Sequence, residues 1–213
     1  MLLVDMSASN SFGTTRNIKK ETAAEIASIL AFNAVKNNDK VGLILFTDKV
    51  EKYIPPKKGS AHVWRVIKEI FAFEPEHIGT DIKNAVSYFG RVSRKKTTAF
   101  LISDFLSTDY LHQLKVASKK HELISILLSD PGEFHLPEAG IFYIKDLESG
   151  KLFCLDASDD KTRKDFEVIK KKEYAKTLDA LKSADIDCAE INTSSEAAES
   201  LMKYFRYREK RIR

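Results

Sequence analysis

The chain contains only two cysteines among its 213 residues, Cys154 and Cys188, and they are far apart in the sequence. Their spacing matches no zinc-binding or redox motif, which excludes a small disulfide scaffold and a cysteine metal centre. The five histidines are also scattered without ligand spacing. We therefore expect two reduced thiols in a cytoplasmic protein, although the sequence leaves a bond between them open.

Long apolar runs are absent as well, and no stretch has the length needed to cross a bilayer. The first residues, Met-Leu-Leu-Val-Asp, have neither the charged leader nor the apolar core of a signal peptide. They predict a strand that begins directly at Met1, which is short for a central strand. We expect the native protein to carry a further N-terminal segment, and a membrane association through that segment stays open.

Several catalytic signatures are missing: there is no nucleophile elbow, phosphate-binding glycine loop or Ser-His-Asp spacing. The net charge of +4 is concentrated at the end of the chain, where residues 203–213 hold six of the 35 basic groups and one of the 31 acidic groups. The rest of the chain is close to neutral. Attraction to nucleic acid or phospholipid would thus be confined to this tail, and a solvated helix end is the simpler interpretation.

Apolar β-branched runs alternate along the chain with longer amphipathic segments, and this alternation predicts an α/β fold with a doubly wound, mostly parallel sheet. The predicted strands are Leu2–Asp5, Val41–Phe46, 50–54, Thr98–Ser103, 123–128 and 188–191. The predicted helices are 17–37, 60–73, 81–92, 108–120, 158–182 and one that begins at Ser195. Nothing divides the chain, so residues 1–213 are predicted to form one domain.

Two departures from a purely parallel sheet are predicted. Strand 50–54 follows the previous strand too closely for a parallel crossover, so it should be an antiparallel edge strand that ends at Pro55-Pro56. Segments 140–146 and 151–156 flank Leu-Glu-Ser-Gly and predict an inserted β-hairpin, at about 140–156. Ser60 and Thr80 are predicted to cap the helices that follow them. Trp64, Phe71 and Phe73 are predicted to pack against the sheet.

Oxygen-bearing side chains follow two predicted strands and precede one predicted helix. They lie in Asp5-Met6-Ser7-Ala8-Ser9, in Gly79-Thr80-Asp81 and in Ser103-Asp104-Phe105. Because ligands bind at the carboxyl ends of the strands in an open parallel sheet, Asp5 and Asp104 should meet there.

Two neighbouring buried carboxylates repel each other unless a cation lies between them. With the hydroxyls of Ser7, Ser9 and Thr80 they form an all-oxygen set that suits Mg²⁺ or Mn²⁺ better than zinc. Each of these motifs alone is weak evidence for a metal site. Ser7 and Ser9 are also compatible with an ordinary turn, and Thr80 is compatible with a helix cap. Asp104 could equally be a strand-end carboxylate that accepts hydrogen bonds from loop amides.

Asp5-Met6-Ser7-Ala8-Ser9, Thr80 and Asp104 resemble the metal-ion-dependent adhesion site of von Willebrand A domains. More narrowly, the chain is similar to poorly characterised A-domain proteins encoded beside MoxR-type AAA+ ATPases. The resemblance covers essentially the whole chain, and its further matches are Ser11-Phe12-Gly13, Asp39-Lys40-Val41-Gly42-Leu43, Phe46-Thr47-Asp48, Ile54-Pro55-Pro56, Ile102-Ser103-Asp104-Phe105 and Asp146-Leu147-Glu148-Ser149-Gly150.

The resemblance implies a protein-binding module without enzymatic activity or a small-molecule substrate. Ser7, Ser9 and Thr80 would supply hydroxyl ligands to Mg²⁺, or to Mn²⁺ or Ca²⁺, and Asp5 and Asp104 would act directly or through water. A partner would offer an Asp or Glu carboxylate to the remaining position, and a MoxR-type AAA+ ATPase is the implied partner. Asn10, Asp81 and Phe105 are predicted to contact the partner, although the position of Asp81 at the start of a helix, where an acidic residue complements the helix dipole, is the favoured explanation for that residue.

Two alternatives belong to other classes of protein. An aspartate directly after the first strand is also the nucleophile of several Mg²⁺-dependent phosphoryl-transfer enzymes, which would give this role to Asp5. Ser7, however, occupies the position where such sites usually have a second carboxylate. The other alternative is a nucleic-acid-binding accessory protein that uses the basic tail, in which Tyr204, Phe205 and Tyr207 are suited either to stacking on bases or to packing of the last helix.

Overall fold

The computed structural model describes residues 1–145 and 150–212 and contains a six-stranded sheet in the order β3-β2-β1-β4-β5-β8. All neighbouring strands are parallel except β3, which runs antiparallel to β2. The strands of this sheet are β1 Leu2–Asp5, β2 Val41–Phe46, β3 Val50–Lys57, β4 Thr98–Ser103, β5 Glu122–Ser129 and β8 Asp187–Asn192. The predicted α/β class, parallel sheet and antiparallel edge strand are confirmed.

Helices cover both faces of the sheet, so the central strands are buried on both sides, as their continuous apolar runs predict. In β1, Leu2 and Val4 point to one core while Leu3 points to the other. Residues of α1 Lys19–Lys36, α2 Ser60–Phe71 and α6 Ala197–Ile212 line the first core. Residues of α3 Ile82–Val92, α4 Leu111–Ser118 and α5 Asp160–Ser183 line the second.

The edge strand β3 is longer than predicted, because it continues through Pro55 and Pro56 to Lys57. Proline is tolerated there since an edge strand has one side whose N–H groups need no partner strand. Pairing is irregular between Val41 and Leu43, and a Cβ on Gly42 would lie 2.9 Å from the Pro56 ring. Because Gly42 has no Cβ, the proline ring fits beside it, and the strand continues past the residues that were expected to end it.

Two helix caps differ from the prediction by one residue. The N-cap of α3 is Asp81, whose side chain accepts a hydrogen bond from the Asn84 N–H at 2.8 Å. The N-cap of α2 is Gly59, and Ser60 is the first helical residue. A carboxylate at the N-terminus of a helix satisfies a backbone donor and complements the helix dipole, so Asp81 takes the capping role predicted for Thr80.

The outer face of α2 is unexpectedly aromatic. Trp64 and Phe71 are 60% and 58% exposed, so the prediction that they pack against the sheet is wrong. The buried face of this helix consists of smaller side chains, namely Val63, Val66, Ile67 and Ile70. Phe73, just after the helix, is partly buried against the same core as predicted.

The inserted hairpin is present as a separate two-stranded antiparallel sheet of β6 Ile141–Lys145 and β7 Leu152–Asp156. Its predicted turn and the match at Asp146-Leu147-Glu148-Ser149 lie outside the described residues. Cys154 and Cys188 are free thiols. No helix in the described ranges is long and apolar enough to span a membrane.

Helix α6 packs against the sheet, and some of its basic side chains form ion pairs within the protein. Arg208 donates from Nε to Asp187 at 2.9 Å and from a terminal nitrogen to Glu122 at 2.6 Å, while Arg211 contacts Asp187 at 2.8 Å. Tyr204 and Phe205 pack against the core, whereas Tyr207 is exposed. Packing of the last helix therefore accounts for two of the three tail aromatics.

Replacing Arg208 with Gln should lower the free energy of unfolding by about 1–2 kcal/mol, because two charge-assisted hydrogen bonds to strands β5 and β8 are lost. Urea denaturation measures this change. The exposed Lys210 on the same helix gives the matched control, and Lys210→Gln should change stability by less than about 0.5 kcal/mol. Equal effects of the two substitutions would show that the Arg208 contacts do not stabilise the fold.

Candidate metal centre

The turn after β1 brings one carboxylate and two hydroxyls together. Asp5 is the last residue of β1, and a short 3₁₀ turn at Ala8–Ser11 follows it. The Ser7 N–H donates to Asp5 Oδ1 at 2.9 Å, and the hydroxyl oxygens of Ser7 and Ser9 are 3.1 Å apart. All three side chains are buried. The turn therefore gathers the first three predicted ligands on one side of the chain.

The second carboxylate is supplied by the end of β4, which pairs directly with β1. Ser103 bridges the two strands, since its hydroxyl donates to Asp5 Oδ2 at 2.5 Å and accepts the Phe105 N–H at 2.9 Å. Asp104 follows at once, and its Oδ1 accepts the Leu106 N–H at 3.2 Å. Asp5 and Asp104 thus meet at the same edge of the sheet, as their positions at the strand ends predict.

These two carboxylates influence each other strongly. Burial and, after it, the nearby charge of Asp104 raise the pKa of Asp5 to about 7, although hydrogen bonds from Ser103 and Ser7 act in the opposite direction. A buried carboxylate with a like charge beside it gains stability from any cation that binds between them. The electrostatics of the pair therefore favour cation binding.

The loop that contains Thr80 contacts both of the other loops. The Ala8 N–H donates to the Ile78 carbonyl at 2.9 Å, and the Ser107 hydroxyl donates to the Thr80 carbonyl at 3.2 Å. The next residue, Asp81, donates its N–H to the Thr47 carbonyl beyond β2 at 2.9 Å. All five residues predicted as metal ligands accordingly lie at a strand end or in loops that meet at one end of the sheet.

A buried lysine, which the sequence did not identify, also reaches this site. The Lys19 ammonium lies 2.6 Å from Asp104 Oδ2 and 2.5 Å from Glu133 Oε1, and its side chain is only 1% exposed. Burial disfavours the charged amine, but the two carboxylates outweigh it and raise the pKa of Lys19 above its ordinary value. Lys19 is therefore charged and neutralises part of the site.

Glu133 is held in place by a compact network around Asp130. The Asp130 N–H donates to Glu133 Oε2 at 2.9 Å, and the Asp130 carboxylate accepts from Thr14, Gly132 and Thr193. Burial opposes ionisation of Asp130, but the hydrogen bonds from Thr14 and Thr193 prevail and lower its pKa. This network fixes the carboxylate that shares Lys19 with Asp104.

The residues predicted to contact a partner lie mostly inside the protein. Asn10 is 0% and Phe105 is 3% exposed, so neither presents its side chain to a partner in this structure. Asn10 donates to the Ser7 hydroxyl at 3.3 Å, while its Oδ1 is buried without a hydrogen-bond partner. Asp81 is half-buried at the helix cap, and Leu106, 56% exposed, is the apolar residue that faces solvent beside Asp104.

The donors gathered here are carboxylate and hydroxyl oxygens, which hard divalent cations prefer. No group of three or more His, Cys, Asp or Glu side chains in residues 1–145 and 150–212 has a metal-binding arrangement. A cation would therefore depend on the hydroxyls of Ser7, Ser9 and Thr80 with Asp5 and Asp104, a set typical of Mg²⁺ or Mn²⁺. The unpartnered oxygen of Asn10 beside Ser7 is a further buried acceptor at this place.

A cleft of about 780 Å³ opens directly beside the centre. Ser9, Lys19 and Asp104 line one end. The remaining walls include apolar groups from the loops after β4 and β5, from the hairpin and from α5, namely Leu106, Phe134, Leu136, Ile144, Phe166 and Tyr174. The cleft is thus mostly apolar, with the polar site at one end.

Comparison with known proteins gives one family and several distant structures. Residues 1–176 match the family described as "Protein of unknown function DUF58". An uncharacterized protein of Mycobacterium tuberculosis is 28% identical over 152 residues, which cover 70% of this chain and 48% of that protein. The chain therefore spans about half the length of this curated relative.

Among solved structures, BatB of Bacteroides thetaiotaomicron, a conserved hypothetical protein, has a TM-score of 0.62 at 15% identity and covers 98% of this chain and 96% of its own. An aerotolerance-related membrane protein of Bacteroides fragilis has a TM-score of 0.64 at 15% identity, with 97% of each chain covered. At such identities the likeness concerns the fold alone. Proximal thread matrix protein 1 of the mussel byssus, solved with a zinc-occupied MIDAS motif, covers only 60% of this chain with a TM-score of 0.46 at 17% identity, which is too distant to bear on this site.

Asp5→Asn should change how stability depends on pH in protein kept free of metal by a chelator. Because the pKa of Asp5 is raised from 3.8 to about 7 in the fold, the folded state holds this proton more tightly than the unfolded chain. The contribution of Asp5 to the free energy of unfolding therefore falls as the pH rises through this window, and the variant lacks that loss. Urea denaturation at pH 5 and pH 8 should show that the free energy of unfolding of the variant, relative to that of the wild type, is higher at pH 8 than at pH 5. An identical difference at both pH values would contradict the raised pKa.

Proposed function

We propose that this chain, which belongs to the family described as "Protein of unknown function DUF58", is a protein-binding module that captures its partner through one divalent cation. The observation that carries the proposal is the meeting of Asp5 and Asp104 beside the paired hydroxyls of Ser7 and Ser9. Two buried carboxylates next to neutral oxygen donors are costly in a metal-free site and favourable around a cation.

Ser7, Ser9 and Thr80 would hold the cation through their hydroxyls, and Asp5 and Asp104 would act directly or through water. Mg²⁺ is the proposed ion, with Mn²⁺ and Ca²⁺ as the other hard cations that accept such donors. When bound, the ion supplies an electrophilic position for an anionic group. Because Lys19 already neutralises part of Asp104, the ion would keep more of its positive charge, and an Asp or Glu carboxylate of a partner would form a charge-assisted contact.

The neighbouring cleft supports a protein as the occupant. Its apolar walls, which include Leu106 and Phe134, begin next to Asp104. A protein segment that offers a carboxylate to the cation would bring adjacent side chains into this cleft and bury apolar surface there. The polar centre would orient the bound segment, and the apolar surface buried in the cleft would increase the affinity for it.

We further propose that the partner is a MoxR-type AAA+ ATPase and that the module acts as its adaptor in assembly or maturation of another complex, in the cytoplasm. The support for this identity is the family resemblance of the sequence. We propose no enzymatic role, because Ser7 occupies the position where Mg²⁺-dependent phosphoryl-transfer sites usually have a second carboxylate. Ion pairs of Arg208 and Arg211 with Asp187 also reduce the charge available to nucleic acid.

Replacing Ser7 and Ser9 together with Ala should abolish cation binding while the fold remains. In the wild type, Mg²⁺ at a hundredfold excess over its Kd should raise Tm by about 5–10 °C, because it binds only the folded state. The double variant should show no such shift in a thermal denaturation series. A matched control is the double replacement of Ser118 and Ser183, the serines that end α4 and α5, which should retain the full shift. A missing shift in the wild type would contradict the proposal.

Partner capture should depend on the same ion and on one acidic residue of the partner. Purified chain immobilised on a resin should retain a purified MoxR-type ATPase in Mg²⁺ and release it in chelator. Changing the responsible Asp or Glu of the ATPase to its amide should weaken retention at least about tenfold, since a carboxylate on a metal is a strong charge-assisted contact. Retention that is insensitive both to chelator and to every acidic substitution would contradict the metal route.

A further inference from the structure

The proposed function does not by itself require a lysine at position 19. Its ammonium is inside the protein and contacts Asp104 Oδ2 and Glu133 Oε1 at 2.6 and 2.5 Å. It is the first residue of α1, where a positive charge is unfavourable beside the helix dipole. A buried charge at an unfavourable helix position indicates a specific role for the amine at this site.

We infer that Lys19 sets the metal preference of the site, selecting Mg²⁺ over Ca²⁺ by occupying one oxygen of Asp104. This inference rests on the proposed function, since it concerns the ion that the proposed module would bind. The charged Lys19 ammonium holds Oδ2 and repels an ion from that oxygen, whereas Oδ1 accepts the neutral Leu106 N–H and keeps a second lone pair for an ion. Asp104 is therefore restricted to a single-oxygen or water-mediated contact with an ion.

This restriction discriminates between the two ions on chemical grounds. Ca²⁺ takes six to eight oxygen ligands and often binds a carboxylate through both oxygens, whereas Mg²⁺ requires near-octahedral geometry and keeps water ligands readily. A carboxylate that cannot turn both oxygens toward the ion removes a ligand that Ca²⁺ would use. Mg²⁺ loses little, because a water molecule can fill the position.

The surroundings of Lys19 make the restriction rigid. Glu133 also holds the amine, through Oε1, and is itself fixed by the Asp130 N–H through its other oxygen. Asp130 in turn is bound to the loop after β1 through Thr14 and to the loop after β8 through Thr193. The amine is thus anchored by a carboxylate outside the predicted ligand set, and it holds Asp104 in one orientation.

The test is a Lys19→Met substitution with the two metals themselves as probes. Chelator-treated wild type and variant are titrated with MgCl₂ and with CaCl₂ in isothermal calorimetry, and the ratio of Ca²⁺ to Mg²⁺ affinity is compared. Removing a positive charge strengthens binding of both divalent ions alike, so the ratio isolates the effect on coordination. We expect this ratio to rise about tenfold in the variant because Asp104 can then use both oxygens.

A matched control is Lys20→Met, which removes the same charge from the next residue, whose amine contacts the Phe73 carbonyl at 2.8 Å. It should leave the ratio unchanged.

Because Lys19→Met leaves two carboxylates unpaired and lowers stability, a second variant is needed. Glu133→Gln removes the charged anchor of the Lys19 amine, so the hold of the amine on Asp104 should loosen and the Ca²⁺ to Mg²⁺ ratio should rise about threefold; the same change in the Lys19→Met background should not alter it.

The outcomes separate the inference from the proposed function. If the wild type binds Mg²⁺ but the ratio is the same in Lys19→Met, or in Glu133→Gln should the first variant not fold, Lys19 is a structural ion pair and the inference is wrong. If the folded wild type binds neither ion, the proposed metal centre fails, and the inference fails with it. A rise in the ratio that Lys20→Met reproduces would also overturn the inference.

Discussion

The repulsion between two buried carboxylates, Asp5 and Asp104, is the constraint on which the rest of the site depends. The parallel pairing of β1 with β4 places them side by side, and burial keeps water from screening them. The fold compensates with hydrogen bonds from Ser7 and Ser103 and with the Lys19 ammonium. The pKa of Asp5 is nevertheless raised, because burial and, after it, the charge of Asp104 disfavour its ionised form. A divalent cation would complete the compensation, which links the architecture of the sheet to the proposed function.

The topology of the sheet explains why loops distant in sequence form one centre. β1 lies between β2 and β4, so the loops that follow these three strands share one edge. The turn after β1 and the loop before α3 are joined by the contact from Ala8 to Ile78, and Asp130 connects the loop after β5 to the same region. The arrangement holds the oxygen donors before any ion arrives. Preorganised donors of this kind favour a small ion with strict geometry.

Much of the fold was predictable, because the apolar runs of β1, β2 and β4 have both faces buried and little else could occupy the centre of the sheet. The meeting of Asp5 and Asp104 was predictable too, since it follows from strand order. The contacts of Lys19 were not predictable. Lys19 lies 85 residues from Asp104 and 114 residues from Glu133 in the sequence, and Lys19 and Glu133 match no motif. The exposure of Trp64 was missed since the inner face of α2 is filled by Val and Ile, which leaves aromatic rings outside.

The most direct test of a cation centre is diffraction from crystals grown with Mn²⁺ in place of Mg²⁺, with data collected at a wavelength where manganese scatters anomalously. The account predicts a single strong anomalous peak within coordination distance of the Ser7 and Ser9 hydroxyl oxygens, beside Asp5 and Asp104. An anomalous map without a peak at this edge of the sheet, or with the ion bound elsewhere, would contradict it.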